Sequence, residues 1–215
     1  MKNILVIGMG RFGQRLAARL LELRNNVMII DQNPAIINEL APHFTNAQIC
    51  DCTNPDVLRT LGVEDFDICF VTIGENFQSS LEITSQLKEM GAKRVIAKAN
   101  RDIQAKFLLR NGADEVVYPE RDMAEKTAIL CSANHIYDFI ELTPAYSIFE
   151  TTVLREWVGK TIGLINVRRK YGINVLTIKK EDGEIVMPTA DYLFEPSDHV
   201  IIMGKKNEVI RLISH

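Results

Sequence analysis

Apolar positions along the chain follow two different patterns. From residue 1 to about 118, short apolar runs alternate with amphipathic stretches; the runs are residues 4–7, 27–30, 49–50, 68–71, 94–97 and 116–118. Several are continuous rather than alternating, which predicts strands covered on both faces. Between them lie helix-like segments. Phe12, Leu16, Arg19, Leu20 and Leu23 repeat on one helical face, with only Arg19 polar. Ile36, Ile37 and Leu40 follow Asn33-Pro34, a capping residue with a proline suited to the first helical position. Leu81, Thr84, Leu87 and Lys88 mark a third helix that stops at Gly91, and Leu108-Leu109 sit in a fourth stopped by Gly112. This alternation predicts an α/β fold, a doubly wound parallel sheet of the Rossmann type.

The pattern then changes. One helix fits residues 120–137, with Met123, Lys126-Thr127, Leu130 and His135-Ile136 at its turns. After it come short alternating runs at 139–142, 147–154, 175–179, 185–187 and 199–203, separated by turn signals such as Glu181-Asp182-Gly183 and Glu195-Pro196-Ser197. Two more helices fit around 163–170 and 205–213. The expected organisation is a nucleotide-binding domain over 1–137 and a small α+β domain over 138–215.

Composition narrows the class without changing the fold. Hydrophobic residues are 47% and charged residues 25% of 215, with 25 basic and 28 acidic side chains and a net charge of −3. That balance suits a soluble globular protein and excludes a nucleic-acid backbone as the main partner, because binding one needs a basic excess. Arg168-Arg169-Lys170, Lys179-Lys180 and Lys205-Lys206 read as solvated faces. No apolar run approaches the roughly 18 to 20 residues of a membrane span, and residues 4–7 are too short for a signal-peptide core, so the expected compartment is the cytoplasm. Cys50, Cys52, Cys69 and Cys131 form no spaced pair of pairs, and His43, His135, His199 and His215 are scattered. Buried, inert thiols are the expectation.

The chemistry concentrates near the amino terminus. Gly8-Met9-Gly10-Arg11-Phe12-Gly13 is a G-x-G-x-x-G turn between a strand and a helix. In that setting Gly8 permits the turn, Gly10 lets phosphates approach the backbone, and Gly13 lets helix and strand pack closely. The helix start offers unpaired N–H groups and a positive dipole end to an anion. Asp31 ends the second strand, where an acid accepts hydrogen bonds from ribose hydroxyls and disfavours a 2′-phosphate. Together these imply a bound adenine nucleotide. Arg11 either faces the phosphates or is a solvent-facing arginine that opposes the helix dipole. Asp51-Cys52-Thr53, Thr72-Ile73-Gly74-Glu75-Asn76 and Lys98-Ala99-Asn100 each follow a strand at the same sheet edge, with helix capping as the plain alternative for Thr53 and Asn76. There is no Ser-His-Asp or Cys-His setting, no Walker-type lysine loop and no HExxH. His199, in a strand-like run, reads as a core or edge histidine. Binding without catalysis is the expectation.

These residues resemble the RCK (KTN) proteins, and more narrowly the KtrA/TrkA-type cytoplasmic subunits of bacterial potassium uptake systems. The likeness rests on the glycine turn, on Ile73-Gly74-Glu75-Asn76, and on Tyr118-Pro119-Glu120-Arg121-Asp122-Met123-Ala124. In the small domain it rests on residues 164–172 and on the closing stretch 198–204. The resemblance implies a regulatory subunit that forms dimers and then an octameric ring beneath an integral-membrane potassium-translocating subunit. ATP and ADP favour different ring shapes. It further implies that Arg11 meets the γ-phosphate, that Asp31, Gln32 and Asn33 hold the ribose region, and that Asp51 and Cys52 flank the adenine. Ile73, Gly74 and Glu75 would line the site; Lys98, Ala99, Asn100 and Gln104 would complete it. Glu120 would help bind a cation beside the triphosphate, or else serve only as an acid at a helix start.

Some relatives hold cyclic di-AMP near the positions of Ile162, Gly163, Arg168 and Pro188. Gly163 and Asn174 depart from the common pattern, so this ligand is not expected here. NAD or NADH is the competing ligand, because Asp31 and the glycine turn suit it equally. An NAD-dependent oxidoreductase comes third, for want of catalytic residues.

Overall fold

The computed structural model describes residues 1–132 and 135–213; His215, counted above, lies outside them. The chain divides into two compact units, Met1–Asp122 and Met123–His215.

In the first unit, strands β1 (Asn3–Ile7), β2 (Asn26–Asp31), β3 (Asn46–Ile49), β4 (Ile68–Val71), β5 (Val95–Lys98) and β6 (Glu115–Val117) form one parallel sheet. Their order is β3-β2-β1-β4-β5-β6. Helices α1 (Arg11–Glu22), α2 (Pro34–Leu40), α3 (Pro55–Thr60), α4 (Phe77–Glu89) and α5 (Asp102–Arg110) make the crossovers. The unbroken apolar run of β1 has its cause in this layering. Leu5 and Ile7 pack into a core with Leu58, Ile83, Leu87 and Leu108, whereas Ile4 and Val6 face a second core with Met9, Ala17 and Ile37. An alternating strand leaves one face wet; this one has none to leave.

Several local expectations need correction. Leu23 lies just past the end of α1 and is exposed. Helix α3 has no counterpart in the apolar pattern; it is started by Asn54, whose side chain accepts from Asp56 N at 3.0 Å, followed by Pro55. Thr53 therefore caps nothing, while Asn76 does cap α4 through Ser79 N at 3.1 Å.

Helix α6 (Pro119–Ser132) ends earlier than the helix expected over 120–137. Ile136 and Tyr137 belong instead to strand β7 (Ile136–Glu141). Buried Ile136 and Phe139 take their place in the core of the second sheet, and that burial overrides helical continuation. The division between the units falls inside α6, at Asp122 and Met123, whereas the sequence reading assigned the whole helix to the first domain.

The second unit is an antiparallel sheet ordered β10-β9-β11-β8-β7, with β8 at Tyr146–Thr152, β9 at Asn174–Lys179, β10 at Ile185–Val186 and β11 at His199–Lys205. The single helix expected around 163–170 is two short ones, α7 (Ile162–Ile165) and α8 (Val167–Tyr171). They break at Asn166, which adopts a left-handed φ of 52° that asparagine tolerates better than most residues. Helix α9 (Lys206–Ile213) buries Val209 and Ile213. Trp157, Phe149 and Phe194 form the centre of this core. His199 sits in β11 with Nδ1 3.2 Å from Glu150 Oε1, its ring stacked on Tyr137.

One fully buried acid anchors this unit. Asp198 Oδ2 accepts from Tyr192 Oη at 2.9 Å and Glu195 N at 2.8 Å, and its Oδ1 pairs with Lys180 Nζ at 2.9 Å. Removing a carboxylate that holds three donors leaves each short of a partner. Asp198→Ala should therefore destabilise this unit by about 3 kcal/mol, read by urea denaturation through the fluorescence of Trp157, the chain's single tryptophan.

In the first unit, a Cβ at Gly13 would stand 2.1 Å from Gly8 O and 2.7 Å from Thr72 Oγ1. Backbone has to move to admit it. Gly13→Ala should lower stability by about 2–3 kcal/mol, measured by the same titration followed by circular dichroism.

Candidate nucleotide site at the carboxyl edge

The sheet order reverses direction between β1 and β4, and a cleft of about 380 Å³ opens beyond the carboxyl ends of the strands there. In open α/β sheets this is where ligands bind. Its floor is the glycine turn. Strand β1 is held on both sides to its last residues, with Gly8 N donating to Ile30 O at 2.8 Å and Thr72 N to Ile7 O at 2.9 Å. Gly8 then turns the chain with a φ of +96°, and a Cβ there would also meet Ile73 Cγ1 at 2.9 Å. Both facts require glycine. The first hydrogen bond of α1 runs from Gln14 N to Gly10 O at 3.0 Å, so the amides before Gln14 have no helical acceptor.

The glycines differ in what requires them. Gly8 is required by its torsion, and Gly13 by its contact with Gly8 O. Gly10 has an ordinary φ of −69°, and nothing in the chain lies within 4 Å of where its Cβ would be. Among the described residues no contact calls for a glycine there, and beyond the mild N-cap preference what a glycine gives is room for a group arriving from outside.

Asp31 braces the turn. Its Oδ2 accepts from Met9 N at 2.6 Å and its Oδ1 from Asn33 N at 2.8 Å. A carboxylate has about four acceptor positions, so two remain for hydroxyl donors. Asp51 Oδ1 accepts from Thr53 N at 3.0 Å and Thr53 Oγ1 at 2.8 Å, which orders the loop after β3. Gln86 on α4 ties the same loop down by donating to Thr53 O at 3.1 Å. Burial pushes the Cys52 thiol well up, with neighbouring Cys50, Asp51 and Asp31 adding to it; Cys50 is raised by burial too. Both are uncharged thiols at neutral pH and supply packing surface rather than a thiolate. Cys69, in the core, is pushed up to about 12 by burial. Cys131 departs from the expectation of buried thiols, being exposed on α6.

Of the residues singled out in the sequence, the cleft brings together Gly8, Gly10, Asp31, Gln32, the Asp51-Cys52-Thr53 run and the run from Thr72 to Asn76. The others stand around it. Arg11 is exposed at the first position of α1, with no acid in that turn. Phe12 is half-buried and Gly13 sits beneath the turn. Asn33 caps α2 through Ala35 N at 3.0 Å. Ala99 is core, and Asn100 donates to Gly74 O at 3.0 Å. Gln104 accepts from Asn100 N at 3.0 Å, bracing that loop from α5. Lys98 Nζ pairs with Glu120 Oε1 at 2.5 Å, and that ammonium holds the Glu120 carboxyl below its usual range.

Sequence reasoning missed Ile36, Ser79 and Ile83, which also line the cleft. Ser79 and Ile83 are four apart on α4 and share one face, a spacing that was available. It also passed over the role of Thr72, whose buried hydroxyl lies 2.5 Å from Gly8 O and 3.0 Å from Ile7 O and donates to that pair of carbonyls.

Among the described residues no group of three or more His, Cys, Asp or Glu side chains could hold a metal ion. Glu120 contributes one carboxylate already matched by an ammonium, so a single chain does not by itself fit a cation there.

The TrkA-N domain matches residues 4–119 and the TrkA-C domain residues 148–215. Ktr system potassium uptake protein C of Bacillus subtilis (strain 168) is 37% identical over 210 residues, covering 98% of this chain and 95% of that protein. Ktr system potassium uptake protein A of the same organism is 34% identical over 210 residues, with the same shares covered. Among solved structures, the GsuK channel bound to NAD has a TM-score of 0.67 at 17% identity, covering all of this chain and 39% of that one, a likeness of fold. With both domains matched in order and such identity from end to end, the chain belongs to the TrkA-N/TrkA-C family that includes the Ktr potassium uptake proteins.

Proposed function

We propose that this protein is the nucleotide-responsive regulatory subunit of a potassium uptake system, and that ATP and ADP bind in the cleft at the carboxyl edge of the parallel sheet. The observation that carries the reading is Gly10. It is a glycine with ordinary torsions and open space above it, set among helix-start amides beside the braced carboxylate of Asp31. That combination suits phosphates over the turn and ribose hydroxyls on Asp31. Ile36 and Ile73, both half-buried, offer apolar surface for a base. The volume of about 380 Å³ is at the small end of ligand sites, which favours a mononucleotide over a dinucleotide.

Family membership supports the rest. The Ktr relatives are potassium uptake proteins, and no helix among the described residues is long and apolar enough to cross a membrane. The ion path then belongs to a separate membrane-embedded subunit, with this chain at its cytoplasmic face as a dimer assembled into an octameric ring. The role is gating rather than catalysis, and a nucleotide shifts the gate by binding one ring state more tightly than another. The unit Met1–Asp122 serves as the nucleotide domain and Met123–His215 as the small domain. Around the lining residues, Phe12, Asn33, Ala99, Asn100 and Gln104 support the site, and Arg11 reads the terminal phosphate. A cation at Glu120 needs further ligands from the nucleotide or from a second chain.

NAD or NADH is the second reading, favoured by the 3-2-1-4-5-6 sheet order with an acid after β2. The GsuK channel of the same fold has been solved with NAD. A thermal-shift panel of ATP, ADP, AMP, NAD and NADH separates the two, since a ligand bound only to the folded state raises the midpoint by mass action. ATP and ADP should give the larger shifts; a response to NAD with none to ATP reverses the order.

Two substitutions sharpen the test. Gly10→Ala should leave stability within about 1 kcal/mol of the parent, since the torsion is ordinary. It should weaken ATP and ADP about tenfold or more by filling the approach to the turn, measured by calorimetry. Arg11→Ala should erase the preference between ATP and ADP while leaving ADP affinity nearly unchanged. It should also raise the stability of the ligand-free chain by about 0.3–1 kcal/mol, because an unpaired cation no longer opposes the helix dipole. An undiminished ATP preference in that variant rules Arg11 out as the reader of the terminal phosphate.

A further inference from the structure

The charges around the cleft do not match a polyanionic ligand. Asp31, Asp51 and Glu75 line it, and no lysine or arginine does. A nucleoside di- or triphosphate entering there meets carboxylates at moderate distance and backbone amides at the turn. Repulsion between like charges a few ångströms apart is worth whole kcal/mol at a protein surface. Arg11 stands exposed at the turn, and the chain holds a second cation in reserve. Lys98 ends β5, and its Nζ lies 3.1 Å from where a Cβ on Gly74 would be. Gly74 follows Ile73, whose backbone N is 3.1 Å from the corresponding position on Gly8. The ammonium therefore sits one residue's width behind the wall that abuts the glycine turn. Its side chain is 11% exposed, and its partner across the 2.5 Å pair, Glu120, is 66% exposed.

That asymmetry matters. Glu120 loses little when it is released to water, while Lys98 stays close to the cleft on a flexible four-carbon stem. Among the described residues, the acid paired with Lys98 is Glu120, in the first turn of α6. We infer that Lys98 is a partner-exchanging residue: with the cleft empty it neutralises Glu120, and with a di- or triphosphate bound it turns to the phosphates and frees the Glu120 carboxylate at the start of α6. This rests on the proposal that the cleft binds adenine nucleotides and names how occupancy is passed out of it. Binding at the turn and the Lys98–Glu120 pair then compete for one ammonium, and competition is reciprocal by linkage.

The competition has a signature that a purely structural ion pair lacks. Removing the Glu120 charge should improve phosphate binding, although the residue lines no part of the cleft. Calorimetric titration of the full chain with ATP, ADP and adenosine, in EDTA and again in magnesium, is the test. In EDTA, Glu120→Gln should tighten ATP and ADP by about two- to fivefold, the worth of an exposed ion pair no longer to be broken, and leave adenosine unchanged. Lys98→Met should weaken ATP and ADP by about tenfold or more, the worth of a hydrogen bond to a charged group, again sparing adenosine. In the double variant the gain from Glu120→Gln should vanish, because there is no lysine left to compete for.

Glu120→Gln is an exposed change that leaves folding intact, so it carries the test alone if Lys98→Met folds poorly. Unchanged or weakened ATP binding by Glu120→Gln in EDTA overturns the inference, as does a gain that persists without Lys98. A loss of ATP affinity confined to magnesium, with the gain in EDTA intact, supports it, because the carboxylate released by Lys98 is then the one that meets the cation. A parent chain that binds none of the three ligands removes the underlying proposal and this inference together; binding with no effect of Glu120→Gln removes the inference alone.

Discussion

The close approach of α1 to the end of β1 is the constraint on which the site depends. At Gly13 the helix comes so near to Gly8 O that a single methyl group has no room. That approach aims the start of α1 at the point where the sheet order reverses, and thereby turns an ordinary helix end into an anion seat. The approach is held by more than the absence of a side chain. Thr72 presents its hydroxyl to the carbonyls of Ile7 and Gly8, and Asp31 takes the Met9 amide. The second of these gives one residue two tasks. Asp31 fixes the turn with one pair of lone-pair positions and leaves the other pair open, so the acceptor that the proposed function gives to a ribose is held in place by the fold itself.

Much of the first unit was legible because its strands carry their burial in their sequence. A run such as Ile4 to Ile7 is apolar at every position for a reason that leaves one choice of layer, helices on both faces. The glycine turn was legible for a similar reason, since two of its glycines answer backbone geometry. Legibility failed where a tertiary partner outweighed local pattern. Residues 135–137 continue a helical reading of α6 by spacing alone, yet Ile136 pairs with Thr151 across β7 and β8 and is buried there. Asn166 interrupts α7 and α8 by a torsion that no periodicity announces.

The site shows the same division. Residues on the strand ends and the turn were found because their positions follow from topology. Ser79 was missed because α4 was read for the face it buries, and Ile83, which is on that buried face, because burial in the core and a place in the cleft lining coincide there. Asn100 and Gln104 prove to brace one loop, Gln104 by accepting from Asn100 N and Asn100 by holding Gly74 O. Those roles depend on where β5 lies beside β4, which spacing in a sequence does not give.

Charge placement gives the fold its reason to respond to ligand and not merely hold it. On the proposed reading, a cleft lined by acids with its basic groups set just outside would take the uncharged part of a nucleotide on its own walls. The phosphates must be answered by groups that have other partners, or that stand unpartnered at a cost. Arg11 is of the second kind, an exposed cation in the first turn of a helix whose dipole opposes it. Lys98 is of the first, nearly buried and matched to Glu120. In both cases the ligand's charge relieves or reassigns an existing electrostatic state of the chain, and the size of that change depends on how many phosphates arrive. A site lined with its own lysines would bind more tightly and discriminate less, because its charges would be satisfied by any anion. Under the proposed function, withholding cations from the lining would make the phosphate count the variable that the protein reads.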